Sequence, residues 1–329
     1  MNPLLAYITI TPLHWAGFIL CILFFLAVDL GVLNKKPHVV SFKEALRWSV
    51  FWCILAMLFA IALVPLRGRD EAVEFVTGYI IELSLSMDNV FVIALIFTFF
   101  RVPPQHQHRV LFWGIIGALV MRGAMILAGA ALVQRFQWTL YLFGAFLIFT
   151  GIKMLFADDE GVEPEKNPIV RLARKFFPIA DGTHNEKFLV RQNGRWMLTS
   201  LAIVLITVET TDLIFALDSI PAIFAVTQKP FIVFTSNVFA ILGLRSLYFV
   251  LAGAIDYFRY LKIGLSVVLV FVGLKMLFAP HGDGAHHWFQ FEIPTFFSLI
   301  IIAAILTTAI LASVVATKRE KQLTTNKHK

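Results

Sequence analysis

Cysteine and charged residues are both scarce in this chain of 329 residues. There are only two cysteines, Cys21 and Cys53, and no Cys-x-x-Cys pair occurs. A disulfide framework and a dithiol redox site are therefore disfavoured. Charged residues make up 15% of the chain, whereas soluble domains carry about 25%. The composition therefore argues against a soluble protein.

Two sequence signals are also missing. The chain has no GxxxxGK[ST] motif, so transport driven by ATP would need a partner. Residues 1–12 hold no Lys or Arg, so the charged segment of a cleavable signal peptide is absent and we expect no such signal.

Long apolar runs dominate what is present. The chain is 59% hydrophobic, it contains 33 Phe, and its mean hydropathy is +0.80. A helix that crosses the hydrocarbon core needs about 20 apolar residues. Nine runs approach that length, at 13–33, 48–66, 74–99, 110–133, 138–157, 199–226, 231–254, 261–279 and 294–316. The sequence therefore predicts an all-α, polytopic membrane bundle of nine helices.

Lys and Arg are distributed unevenly between the loops. If the N-terminus lies outside, the inner loops hold 20 of these residues and the outer loops hold 4. This asymmetry predicts a multi-pass protein of the bacterial inner (plasma) membrane with its N-terminus outside and its C-terminus in the cytoplasm. The same placement explains the net charge of +7 without a nucleic-acid partner.

Short sequences recur in the same order in the two halves. Leu127-Ala-Gly-Ala130 returns at 251–254, and Lys153-Met-Leu-Phe156 returns at 275–278. Spans 3–5 therefore match spans 6–8, and because three is an odd number the second copy is inverted. The predicted units are 1–66 (two leading helices), 67–157 (first repeat), 158–198 (a cytoplasmic loop without an obvious domain), 199–279 (second repeat) and 280–329 (last helix and basic tail).

The repeat includes a pattern of acidic residues. Glu82 and Asp88 lie six residues apart in the first copy, and Asp212 and Asp218 do so in the second. Carboxylates at membrane depth are costly and usually functional. On one straight helix, such a pair is about 120° and roughly 9 Å apart, so neither copy can hold an ion by itself.

Inversion suggests how the two copies combine. Antiparallel helices that cross at Leu85 and Phe215 place Glu82 level with Asp218, and Asp88 level with Asp212. We therefore predict that these pairs meet across a pseudo-two-fold axis in the membrane. Pro221 removes a backbone donor, which predicts a broken helix with a free carbonyl beside the site.

All of the candidate ligands are oxygen donors, which suit hard divalent cations. The metal candidates are Glu82, Asp88, Asn89, Glu209, Asp212 and Asp218. The supporting candidates are Ser86, Thr211, Ser219, Pro221, Arg122 and Arg245. Neither His nor Cys lies near the pattern, which weighs against zinc or copper.

Structural explanations compete with this interpretation. The acids could be protonated, or paired with Arg122 and Arg245 in structural ion pairs, but five acids outnumber two arginines. Both arginines are better explained as counter-ions than as substrate ligands. Lys153 and Lys275 lie near span ends, where side chains that reach to the interface account for them.

The chain resembles the TerC family, and within it the Alx-type members. The residues that carry the resemblance are Gly78-Tyr-Ile-Ile-Glu82 through Val92, Glu209-Thr-Thr-Asp212 through Ala225, and 235–245. The resemblance implies an inner-membrane protein of the LysE-type transporter superfamily that is linked to manganese efflux. Members of this family also carry two older labels, tellurium resistance and membrane-bound redox modulator.

Together these observations predict a transporter, not an enzyme, that exports Mn²⁺ or another divalent cation from the cytoplasm by alternating access. Protons are the expected counter-substrate, because carboxylates can exchange a metal for protons. The expected partners are the metal ion and the lipid bilayer, with no tightly bound cofactor and no prediction of oligomeric state. The alternative is a redox or stress modulator, or a tellurium-resistance protein, that transports no metal. An exporter of anions is disfavoured by the acids.

Overall fold

A computed structural model describes residues 10–28, 41–156, 171–172, 175, 187–192, 195–252, 260–280, 290–291 and 293–327. Within these ranges the chain forms nine α-helices and one short hairpin. They are α1 (Pro12–Val28), α2 (Phe42–Arg67), α3 (Arg69–Phe99), α4 (Pro104–Arg135), α5 (Thr139–Phe156), β1 (Leu189–Gln192), β2 (Arg195–Leu198), α6 (Ser200–Phe224), α7 (Pro230–Ala252), α8 (Leu261–Phe278) and α9 (Thr295–Lys327). Eight of the helices are long and apolar enough to cross a membrane. The predicted all-α, polytopic membrane fold is confirmed.

The first predicted span differs from the others. The helix at this position, α1, has 17 residues and is the shorter apolar helix beside the eight long ones. The rest of the predicted span, from residue 29, lies outside the described residues.

The hairpin was not predicted. Its strands pair antiparallel, with Leu189 opposite Leu198. The hydroxyl of Thr199 donates to the carbonyl of Lys187 at 2.7 Å and accepts from the backbone N–H of Ala202. Thr199 thus closes the hairpin and caps the start of α6 at once. Two strands of four residues leave too little alternation to be recognised from the sequence.

The helices pack in a reciprocal pattern. Each helix of the first predicted repeat contacts its counterpart in the second: α3 lies against α6, α4 against α7, and α5 against α8. The crossed contacts are also present, because α3 packs on α7 and α4 packs on α6. A two-fold relation between two three-helix units produces this set of contacts, since each contact must occur in both directions.

The contacts between α3 and the second unit show that α3 and α6 run antiparallel. Near the start of α3, Glu74 accepts a hydrogen bond of 2.8 Å from Thr227, which follows the end of α6. Further along α3, the side chains of Asn89 and Asp212 approach to 3.4 Å. Later positions in α3 thus face earlier positions in α6. The antiparallel register predicted from the repeat is confirmed.

Polar and apolar side chains are placed as expected for a protein surrounded by lipid. Large apolar residues on the outer helix α2, such as Leu58 and Ile61, are exposed. In contrast, Glu82 and Ser86 of the central helix α3 and Arg122 of α4 are buried. The costly polar groups therefore lie between the helices, where they can find partners.

Glycines let α5 and α8 approach closely. A Cβ on Gly273 would lie 2.7 Å from the carbonyl oxygen of Gly144, and a Cβ on Gly144 would lie 2.9 Å from the carbonyl oxygen of Gly273. Backbone atoms cannot move aside as a flexible side chain can, so small residues are needed at this contact.

We therefore expect Gly273→Ala to lower the free energy of unfolding by about 1–3 kcal/mol, the usual cost of overpacking. The measurement is the thermal unfolding midpoint in detergent. Gly17→Ala is the control, because nothing lies within 4 Å of a Cβ at that position on α1. Equal midpoints for the two variants would contradict the role of the glycine contact.

Candidate functional site

A buried arginine joins the two acidic helices. Arg122 of α4 is 2% exposed. One of its terminal nitrogens pairs with Glu82 of α3. Its other terminal nitrogen lies 2.8 Å from Oδ1 of Asp212, and its Nε lies 3.1 Å from Oδ2 of the same carboxylate. Such two-point binding of a carboxylate is among the stronger polar contacts in proteins.

Neutral side chains complete this group. Arg122 Nη1 donates to Ser219 Oγ at 3.4 Å. The Asn89 amide satisfies both of its polar atoms when its oxygen accepts from Arg122 Nη2 and its nitrogen donates to the carbonyl of Leu85, each at 3.2 Å. Glu82, Asn89, Arg122, Asp212 and Ser219 are called the Arg122 cluster below. The cluster holds two carboxylates and one guanidinium.

Helical periodicity explains the membership of the cluster. Glu82 and Asn89 lie seven residues apart on α3, as Asp212 and Ser219 do on α6. Residues at this spacing occupy one face of a helix. The prediction that Arg122 is a counter-ion is confirmed. Arg245, its counterpart on α7, is partly buried and is not among the residues placed in the cluster.

The other two carboxylates line a cavity. Asp88 and Asp218 lie in the wall of a space of about 190 Å³ bounded by α3, α5, α6 and α8. Asn89, Ser219 and Thr150 add neutral oxygens to the same wall. This space is called the acidic cavity below. Because Asn89 and Ser219 belong to both groups, the Arg122 cluster forms part of the cavity wall.

A lysine lies in the same wall. Lys153, near the end of α5, lines the acidic cavity, and its charge interacts with that of Asp218. The side chain is exposed, so it is not enclosed within the cavity. The expected role of Lys153, reaching out to the membrane interface, is therefore incomplete. It shares the cavity wall with two carboxylates, Asp88 and Asp218.

The grouping of the carboxylates corrects the predicted pairs. We expected Glu82 to meet Asp218 and Asp88 to meet Asp212. Instead, Glu82 and Asp212 share Arg122, whereas Asp88 and Asp218 share the cavity. The antiparallel register of α3 and α6, with Asp212 near the level of Asp88, agrees with the prediction. Each helix is rotated about its own axis so that one carboxylate of its motif lies at Arg122 and the other lines the cavity.

The remaining predicted residues lie around these two groups. The carboxylate of Glu209 lies so close to Gly117 of α4 that a Cβ there would collide with it. Ser86 is buried between the helices. The Thr211 hydroxyl donates to the backbone carbonyl of Thr207 at 2.8 Å, which leaves it little freedom to bind a ligand. None of the three lines the acidic cavity as the structure describes it.

Pro221 does not break its helix. Helix α6 continues through Pro221 to Phe224, and Pro221 itself is buried. A proline removes a single intrahelical hydrogen bond, and neighbouring helices in a membrane bundle can support the backbone there. The predicted broken helix was therefore wrong.

The six predicted metal candidates do not form one site. Among the described residues, no three His, Cys, Asp or Glu side chains come together closely enough to hold a metal ion. A cation in the acidic cavity would therefore meet two carboxylates, the neutral oxygens and water.

Sequence reasoning missed the contribution of α5. Thr150, Lys153 and Met154 of this helix all line the cavity. Lys153 and Met154 follow Thr150 by three and four residues, which places all three on one face of the helix. A polar residue and a charged residue on one face of an otherwise apolar helix were the available signal.

Comparison with known proteins identifies relatives along most of the chain. Residues 67–321 match the family described as integral membrane protein TerC family. An uncharacterised membrane protein of Myxococcus xanthus is 48% identical over 308 residues, which cover 94% of each chain. A protein of Escherichia coli K12 named "Putative membrane-bound redox modulator Alx" is 45% identical over 95% of this chain and 98% of its own.

A relative from Rickettsia felis, also an uncharacterised membrane protein, is 40% identical over 92% of this chain. No solved structure matches the chain. The family match covers well over half of the residues, and the relatives align along nearly their full length. The chain is therefore a multi-pass integral membrane protein that belongs to the TerC family.

Proposed function

We propose that this protein is a secondary transporter that exports a divalent cation, Mn²⁺, from the cytoplasm by alternating access. The observation that carries the proposal is the acidic cavity. It lies between helices of the two three-helix units and is lined by one carboxylate from each of them, Asp88 and Asp218. Transporters built from inverted repeats bind their substrates at such an interface.

The charges and donor atoms of the cavity suit a divalent cation. Asp88 and Asp218 together carry the two negative charges that such an ion needs. The side chains of Asn89, Ser219 and Thr150 add neutral oxygen donors. Because a water takes up about 30 Å³ in the liquid, the cavity has room for a cation that keeps part of its hydration shell.

The lining favours manganese over magnesium and calcium. Oxygen donors suit all three ions. Met154 also lines the wall; its side chain carries a thioether, and sulfur donors favour softer ions. Mn²⁺ is the softest of the three, so it gains most from the contact. The wall has neither His nor Cys, the donors that zinc and copper prefer.

The packing of the two units supports alternating access. The cavity borders α3 and α5 from the first unit and α6 and α8 from the second. A rocking motion of one unit against the other would change which side of the cavity is open, while both carboxylates stay with the ion. The proton gradient across the membrane would give this cycle its outward direction, if protons return as the metal leaves.

Transport is tested with purified protein in liposomes that contain a Mn²⁺-sensitive fluorophore. We expect saturable Mn²⁺ entry, inhibited weakly by Mg²⁺ and Ca²⁺. The control is a set of protein-free liposomes made from the same lipids. Entry no faster than in these liposomes would overturn the proposal.

Proton exchange is tested in inverted membrane vesicles with an acidic interior. We expect the proton gradient to drive Mn²⁺ into the vesicles, because protons that leave can replace the metal on Asp88 and Asp218. Nigericin, which collapses the gradient, should stop the accumulation. Accumulation that survives nigericin would exclude proton antiport but not transport.

The second candidate is a redox or stress modulator without metal transport, as the name of the Alx relatives suggests for those proteins. Neither cysteine forms a disulfide: Cys21 on α1 is exposed, and Cys53 on α2 is partly buried. We expect the double variant Cys21→Ser/Cys53→Ser to keep full Mn²⁺ transport in the liposome assay. Loss of transport on oxidation of the wild type, but not of this variant, would favour redox control.

A tellurium-resistance function without metal transport is the other alternative. Tellurite is an anion, and two carboxylates in the cavity wall would repel it. We therefore expect no tellurite flux in liposomes in which Mn²⁺ moves readily.

A further inference from the structure

Lys153 has no role in the transport cycle proposed above, although it lines the cavity. It is the basic side chain in the described wall of the acidic cavity, together with Asp88 and Asp218. Its charge interacts with that of Asp218. The side chain is also exposed, and its four-carbon stem is flexible, so the ammonium can swing either toward the carboxylates or away from them.

We propose that the Lys153 ammonium is a tethered competing cation, which occupies the acidic cavity when no metal is bound and is displaced when a divalent cation enters. This inference rests on the proposed function, because it concerns the same cavity. It adds a residue that sets the affinity and the release rate of the transported ion.

Before a metal ion binds, a positive charge near the two carboxylates would stabilise the cavity. Two carboxylates in the wall of one cavity at membrane depth are costly unless a cation is near. The Arg122 cluster offers little compensation, because Arg122 is already bound by Glu82 and Asp212. Lys153 is the nearby cation that can move, since its ammonium sits on a flexible four-carbon stem.

The occupied cavity has no place for the same charge. A divalent cation neutralises Asp88 and Asp218 by itself, so an ammonium in the cavity would then repel the metal. Lys153 can avoid this by turning away from the carboxylates, because its side chain is exposed. Each metal ion thus exchanges with the lysine, which lowers the affinity for metal and helps to release it.

The test compares the Mn²⁺ affinity of Lys153→Gln with that of the wild type, measured by isothermal titration calorimetry in detergent. We expect binding at least about tenfold tighter, because one like charge a few ångströms away changes affinity by this much. Turnover in liposomes at saturating Mn²⁺ should fall, because release slows. Lys153→Arg keeps the charge and should stay near the wild-type affinity.

Lys275→Gln is the matched control. Lys275 is the counterpart of Lys153 in the second repeat, in the same Lys-Met-Leu-Phe sequence, and it is not in the wall of the cavity as described. We expect its loss to leave the Mn²⁺ affinity unchanged. An equal gain in affinity would show that any nearby charge has the effect, and would overturn the proposed role of Lys153.

Stability supplies a second measurement. Without metal, Lys153→Gln should unfold at a lower temperature than the wild type, and saturating Mn²⁺ should raise its midpoint by more. Unchanged or weaker Mn²⁺ binding by Lys153→Gln would overturn the proposed role of Lys153. It would not contradict the proposal that the protein transports Mn²⁺. Failure of the wild type to bind Mn²⁺ would instead overturn the proposed function itself.

Discussion

Asp218→Asn is expected to abolish Mn²⁺ transport while leaving the protein folded. Asp218 is the carboxylate that the second repeat contributes to the acidic cavity. The substitution keeps the shape and removes the charge, so one negative charge would face a divalent ion. Loss of even an outer partner of a metal ligand costs 10–100-fold, so loss of a ligand should weaken Mn²⁺ binding by more than about 100-fold.

Asp88→Asn should behave in the same way, because Asp88 is the corresponding carboxylate of the first repeat. The measurements are Mn²⁺ entry in the liposome assay and Mn²⁺ affinity by calorimetry. Asp70→Asn is the matched control, since Asp70 is an exposed carboxylate at the start of α3, the helix that carries Asp88. Normal transport by both cavity variants would show that the acidic cavity is not the path of the ion.

Arg122→Met is expected to have the largest effect on stability. The substitution removes the partner of two buried carboxylates, Glu82 and Asp212, and leaves them uncompensated. Breaking a buried ion pair by removing one partner costs about 3–5 kcal/mol. We therefore expect a large fall in the thermal unfolding midpoint. Arg122→Lys should recover part of the loss, because it restores the charge but not the two-point contact.

A rescue experiment separates the charge from the packing. The triple variant Glu82→Gln/Arg122→Met/Asp212→Asn removes all three charges and should be more stable than Arg122→Met alone. Arg135→Met is the control, because Arg135 is exposed at the end of the same helix, α4. If Arg122→Met unfolds at the same temperature as Arg135→Met, the Arg122 cluster does not hold α3, α4 and α6 together.

Carboxylates that look alike in the sequence are therefore expected to have different roles. Glu82 and Asp212 are bound by an arginine and fix the position of the two acidic helices. Asp88 and Asp218 line a cavity whose wall also holds Lys153. The first pair should therefore govern unfolding, and the second pair should govern the binding of the ion.

Several features followed from the sequence because they depend on local composition or on periodicity. The membrane helices follow from apolar runs, and the antiparallel relation of α3 and α6 follows from the odd number of spans in each repeat. The shared face of Glu82 and Asn89, and that of Asp212 and Ser219, follows from helical geometry. The hairpin before α6 did not follow, because its strands are too short to show a clear alternation. The unbroken course of α6 through Pro221 did not follow either, because neighbouring helices can support the backbone at a proline.

The sequence by itself determined that this protein is a bundle of membrane helices, with carboxylates duplicated at membrane depth and an arginine available to compensate them. Only the tertiary structure decided which carboxylates pair with Arg122 and which face a cavity. The reason is that this choice depends on the rotation of α3 and α6 about their axes. The neighbours of each helix set that rotation: α6 packs on α4, α5 and α8, whereas α3 packs mainly on α2, α7 and α9. The contact between α5 and α6 also brings Lys153 to the wall of the acidic cavity.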